Sequence, residues 1–252
     1  MLSPENKRST LKTLAYTLKH HPRARRVKLR VHANGELTVT APRTVPRSQI
    51  DGWIAERRAW VESVRTRQSR LRAELDPATL GPRPDRITLP AIGEEWRLTY
   101  RAGRGDQLRL RIEEGMKPCA LHFSLPTGPI TETDDRIAAR LRQWLRSRAD
   151  GALSPMIAEL ADQYGFSYTA VSFRNQKTRW GSCSAKGRLS INARLLFASP
   201  AACRHVLIHE LVHTEHLDHS PAFRARLAAI DPDYRDHERE LDQLGQRLPD
   251  WL

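Results

Sequence analysis

The stretch His209-Glu210-Leu211-Val212-His213 sets two imidazoles four residues apart, with a carboxyl directly after the first. On an α-helix, positions i and i+4 share a face, so both rings can reach one zinc ion at ~2.0–2.1 Å per Zn–N bond. Glu210 then stands where its carboxylate can take a proton from a water on that metal. The chemistry implied is metal-assisted hydrolysis, with a peptide or protein as the expected substrate and Zn2+ as the expected cofactor.

A third ligand has to be found, and helix geometry narrows the choice. His216 lies seven residues beyond His209, ~10.5 Å along a straight helix axis at 1.5 Å per residue, which is too far for one metal. His205 fails in the same way against His213. These two histidines read as surface residues or as hydrogen-bond partners of a ligand ring. His219 sits just before Ser220-Pro221, a cap and first-turn proline pair that ends the preceding helix between Leu217 and Ser220. Chain that has left the helix can turn His219 back toward the metal. A carboxylate farther on, Glu238 or Glu240, is the alternative. Asp218 is read as a partner for a ligand imidazole or as a solvated helix-end aspartate.

The elements that must position these groups are legible nearby. Ser199-Pro200 is an N-cap followed by a first-turn proline, opening a helix that points Val206, Leu207, Leu211 and Val212 at a core and reaches about His216. The segment Arg188–Leu196 alternates through Leu189 and Ile191 and is a candidate edge strand, where an extended peptide could pair its backbone. Upstream, Ile137, Leu141, Trp144 and Leu145 have helical spacing. Ser154-Pro155 either opens a second helix or lies inside one long bent helix. Val171–Phe173 is a short strand.

The first half carries no catalytic pattern. Residues 1–26 read as a basic flexible arm with a short helix around Leu11–Leu18. Val27, Leu29 and Val31 alternate with charged residues, and after Ala33-Asn34-Gly35 the alternation resumes at Leu37 and Val39, a hairpin signal. Ile50, Trp53, Ile54, Trp60, Val61 and Val64 predict one amphipathic helix, whose outer face carries Arg57, Arg58, Arg65, Arg67, Arg70 and Arg72. Strands are predicted at Ile87–Leu89, Trp96–Tyr100, Leu108–Ile112 and Ala120–Ser124, as an antiparallel sheet. Pro126-Thr127-Gly128-Pro129 marks a composition break, giving a β-rich region over 27–126 and a second region over 127–252. The expected class is α+β.

At 252 residues, 39% hydrophobic and 28% charged, the chain has room for a core. A net charge of +13 attracts polyanions, so DNA is an expected partner through the basic surface. Three scattered cysteines fit a reducing compartment, and neither a signal peptide nor a membrane span is evident. A cytoplasmic protein without membrane contact is expected.

Taken together, Arg179-Trp180-Gly181-Ser182-Cys183-Ser184, Leu189-Ser190-Ile191-Asn192, His209-Glu210-Leu211-Val212-His213 and His219-Ser220-Pro221-Ala222-Phe223 resemble the YgjP-like metallopeptidases, which are related to the SprT-like and WLM-domain zincins. The resemblance is specific over about residues 165–235. It implies a compact zincin-like catalytic domain over 127–252, with its His-Glu-x-x-His helix beside a small sheet, His209, His213 and His219 as ligands and Glu210 as general base. Members often have a tryptophan where this chain has Arg224. The metzincin spacing is also met, but His216 occupies the metzincin glycine position and every methionine (Met1, Met116, Met156) lies upstream, so a Met-turn is impossible. Some SprT-like and WLM relatives cleave proteins bound to DNA, an analogy the basic charge suits. Tyr234 or His237 is expected to help an oxyanion, Asn192 and its strand to hold substrate, and Cys183 to be a small apolar residue rather than a metal-contacting thiolate. The rival reading is a non-catalytic nucleic-acid-binding protein with a structural zinc site, which would normally need four protein ligands.

Overall fold

The structure is a computed structural model describing residues 14–20, 24–31, 35–73, 81–115, 118–127 and 130–252. It is α+β and divides into two compact units, Met1–Glu74 and Leu75–Leu252.

In the first unit, β1 (Thr17–His20), β2 (Lys28–Val31) and β3 (Leu37–Ala41) form a sheet in the order β1-β3-β2. The expected hairpin is β2–β3, antiparallel with Val31 opposite Leu37. Gly35 has a φ of 81°, and Ala33 and Asn34 lie outside the described residues. β1 corrects the expected helix around Leu11–Leu18, whose residues 11–13 are likewise outside. Leu14, Tyr16 and Leu18 pack on the core at a strand's period of two, and β1 pairs in parallel with β3.

The single amphipathic helix is two helices, α1 (Arg47–Glu56) and α2 (Arg58–Ala73), with the break at Arg57. Ile50, Ile54 and Val61 are buried with Leu37, Val39 and Ala41. Trp60, expected on the inner face, is 48% exposed. It precedes Val61 by one residue, ~100° around the helix, and Val61 takes the inward position.

The second unit begins with β4 (Arg86–Leu89), β5 (Glu94–Ala102), β6 (Arg109–Glu113) and β7 (Cys119–Leu125), in the order β4-β5-β7-β6. All four predicted strands are present, but the sheet is mixed, because β7 returns parallel to β5. β7 buries Leu121 and Phe123 and takes the interior place, while the arginine-bearing β6 is left at the edge. The composition break at Pro126 falls inside this unit.

One long helix, α3 (Ile130–Tyr164), contains Pro155. Ser154 Oγ donates to Asp150 Oδ1 at 2.8 Å instead of capping a new helix. Ile137, Leu141, Leu145, Ala149, Leu153 and Ile157 repeat every four residues as a buried ridge. Trp144 packs edge-on against Trp96 at 5.1 Å, joining α3 to β5.

The third sheet combines β8 (Ala170–Arg174), β9 (Gly181–Cys183) and β10 (Arg188–Asn192) in the order β8-β10-β9. β10, the candidate edge strand, is central, and β8 and β9 are the edges. A 3₁₀ turn over Ala193–Phe197 leads to α4 (Pro200–Val212), followed by α5 (Pro221–Ile230) and α6 (Tyr234–Leu244). One continuous core runs from Ile87 to Trp251. Among the described residues no helix is long and apolar enough to cross a membrane.

Candidate metal centre

α4 starts where the residues predict. Ser199 Oγ accepts from Ala202 N at 3.1 Å, and Pro200 takes the first turn. Glu240 of α6 holds this start in place, its carboxylate accepting from Ser199 N at 2.9 Å and from Ser199 Oγ at 2.8 Å. That role withdraws Glu240 from the ligand candidates. The helix ends at Val212, about a turn earlier than expected, with His213 as its C-cap. Thr214 N and Glu215 N donate three residues back, to Leu211 and Val212, which tightens and closes the last turn. The chain then turns, and Ser220 caps α5 by accepting from Phe223 N.

This turn brings three rings together. His209, His213 and His219 each offer a ring nitrogen, all within 4.8 Å of one another. The Nε2 atoms of His209 and His219 are 3.1 Å apart, close to the ~3.3 Å edge of a tetrahedron with ~2.0–2.1 Å arms. His213 Nδ1 lies 2.9 Å from the carbonyl oxygen of His216. A carbonyl only accepts, so Nδ1 carries the proton and the lone pair of the neutral ring is on Nε2. His216 thus acts through its backbone. Phe223, fully buried, packs on all three rings at centroid distances of 5.0, 4.5 and 4.8 Å. Burial, reinforced by the neighbouring imidazoles, pushes the His209 pKa down to about 3, leaving it the neutral ring a metal needs.

Glu210 lies beside this group, 4% exposed, and its Oε2 has no hydrogen-bond partner. Burial pushes its pKa up to about 8, against the opposing charge of Arg179. A Cβ on Gly181 would stand 2.4 Å from Glu210 Oε1, so only glycine lets β9 lie this close to the carboxyl. Three converging imidazoles with an orphaned buried carboxyl at their side fit a divalent cation of zinc type.

A family model described as YgjP-like, metallopeptidase domain, matches residues 25–244. The chain belongs to the YgjP-like family. Membership in a metallopeptidase family implies a metal cofactor. Comparisons with curated proteins and with solved structures find no match.

The other polar residues of this YgjP-like chain take specific places around the rings. His205, read as a surface histidine or a partner of a ligand ring, is 2% exposed and is not on the surface. Asp231 Oδ2 lies 2.7 Å from its Nδ1 and 3.1 Å from Nδ1 of His237, so one buried carboxylate brackets two rings. Burial lowers the His205 pKa, with Asp231 opposing. His237 is therefore engaged with Asp231 and stands outside the three-histidine group. Glu238 remains near His205 and His209, and these three also have ligand atoms within 4.8 Å of one another.

Asn192 is buried, and its Nδ2 donates to the carbonyls of Gln176 and Arg179, both at 2.8 Å, while Oδ1 accepts from Arg194 N. Its side chain ties down the loop that leads into β9 rather than facing a substrate. Tyr234 OH accepts from Arg235 Nε at 3.2 Å. Asp218 Oδ1 accepts from Ser220 N, steadying the turn. The Cys183 thiol is pushed up by burial and by the charge of Glu210, and it donates to Ser184 O at 3.4 Å. Among the described residues it joins none of the groups that could hold a metal.

Proposed function

We propose that the chain is a zinc-dependent endopeptidase in which His209, His213 and His219 hold the metal and Glu210 is the general base. The observation that carries this reading is the convergence of three ring nitrogens from two sides of a turn beside a buried carboxyl whose Oε2 has no partner. Zinc bound there would supply a Lewis acid that polarises the scissile carbonyl and lowers the pKa of a water to ~7. Glu210 takes the proton of the attacking water and returns it to the leaving amide nitrogen. Its low-dielectric surroundings favour that exchange, because a carboxylate raised toward neutral pH both accepts and releases a proton readily. His213 is held in the required tautomer by the His216 carbonyl, and Phe223 keeps the three rings from rotating apart. β9 offers a free edge over Gly181–Cys183, where an extended substrate can add as a further strand next to Glu210.

No fourth ligand atom joins the His209, His213 and His219 group among the described residues, which favours an open catalytic site over a closed structural one with four ligands. The net charge of +13 supports substrates associated with nucleic acid. The test is casein digestion by the zinc-loaded protein, with and without a chelator and with and without DNA. Cleavage that a chelator stops and added zinc restores is the expected result. Bound zinc with no cleavage under any of these conditions would favour the binding-module reading.

A further inference from the structure

The first unit, which supplies none of these groups, carries an open surface hollow of about 730 Å³. Arg25, Arg26 and Arg57 stand around it with Trp53 and Trp60, over a floor of aliphatic and proline side chains, and among the described residues no acidic one lines it. Trp60 is 48% exposed, while its neighbour Val61 on α2 and Ile54 on α1 fill the core positions beside it. Among the described residues, Arg25 and Arg26 have no hydrogen bond or ion pair. Arg57 has only a 3.6 Å exposed contact with Glu56, of a kind that holds a side chain weakly. Fold stability gives no account of an indole open to solvent, beside a second half-buried one, with weakly held guanidinium groups around them.

We propose that this hollow binds single-stranded nucleic acid, with bases stacking on Trp60 and Trp53 and phosphates held by Arg25, Arg26 and Arg57. Guanidinium forks match phosphate oxygens bidentately, and every base has a face that an indole can cover. The volume suits a base with its sugar and phosphate, whereas a duplex hides its base faces within the stack. An acidic peptide would satisfy the arginines and leave the indoles without a role, whereas an anionic membrane, whose interface also takes tryptophan, is distinguished by competition with vesicles. This inference deepens the nucleic-acid part of the proposed function and stands apart from its peptidase part, because binding is read without any cleavage.

The experiment is fluorescence anisotropy of the full chain with labelled short oligo(dT), and with a duplex of equal length, polyglutamate and phosphatidylserine vesicles as competitors. Oligo(dT) is expected to be displaced by unlabelled single strands far better than by the other three. Trp60→Ala should weaken binding at least about fivefold, within the roughly 5- to 150-fold range of a lost base–aromatic stack, and Trp60→Phe should restore most of it. Exchanging Arg25 and Arg26 together for Gln should flatten the slope of log K against log salt by about 1.4, at ~0.7 per phosphate contact on a single strand. The tryptophan is surface-exposed, so an unchanged melting curve is expected to accompany its substitution. Equal competition by duplex, preference for polyglutamate or vesicles, or an unchanged affinity of Trp60→Ala would each overturn the proposal.

Discussion

At the scale of single residues, the candidate site was legible where chemistry is local in the chain. His209, Glu210 and His213 lie within one helical turn, so their spacing alone sets a shared face. His219 followed from a cap and a proline that forced the helix to end. Partners brought in from other elements were not legible, because nothing in their own neighbourhood announces them. Phe223 looks like any core aromatic until three imidazoles are seen around it. Gly181 looks like a turn glycine, yet a Cβ there would meet Glu210 at 2.4 to 2.7 Å. Gly181→Ala is therefore expected to displace the carboxylate and lower kcat about 100-fold, the size of effect a 1 Å misplacement can have, while zinc content stays unchanged. Parallel metal analysis and peptide hydrolysis would check this, and a variant with normal kcat would refute the close packing.

At the scale of elements, the two helix starts at Ser199-Pro200 and Ser220-Pro221 could be read because caps are chemistry within three residues. α4 ends a turn earlier than its residue pattern predicts, since the closing bonds run to backbone carbonyls from Thr214 N, Thr214 Oγ1 and Glu215 N and leave no periodic mark in the side-chain pattern. The edge strand β9 escapes the sequence pattern for a related reason: it is three residues long and has no alternation to detect. The joint between β5 and α3 offers a quantitative test. Arg148 Nε donates to Glu94 Oε2 at 2.8 Å, its Nη2 donates to Oε1, and Trp96 Nε1 adds a bond at 2.9 Å. Burial pushes the Glu94 pKa up, and these bonds more than offset it, leaving the carboxyl below its ordinary value. A depressed folded pKa means stability that is fully present above the unfolded value of ~4.3 and is lost as pH falls through the folded value. Glu94→Gln should thus cost about 1.5–3 kcal/mol at pH 7, with the gap to wild type closing below about pH 4. Denaturant unfolding at both pH values measures it, and a gap independent of pH would show that the ion pair is not responsible.

At the scale of the whole molecule, the α+β class and most strands were visible as periodicities, whereas strand order was not. The parallel pairings β1–β3 and β5–β7 depend on which strand takes the interior place, a property of the assembled sheet. The core that joins Ile87 to Trp251 also makes a prediction about thiols. Cys203 is wholly buried, and burial pushes its pKa up to about 12, so it remains a protonated, shielded thiol at pH 8. Thiol titration of the native chain should count at most Cys119 and Cys183, with the third appearing only in denaturant. A fast third thiol would contradict the packing around α4. The central claim, a metal held by three histidines with Glu210 moving the proton, is tested most directly by zinc content and peptide hydrolysis measured side by side on wild type and Glu210→Gln. The expected result is equal zinc in both proteins and a loss of about 10²- to 10⁴-fold in kcat for the variant, the usual worth of a positioned general base. Hydrolysis by Glu210→Gln at the wild-type rate, with zinc bound, would contradict it.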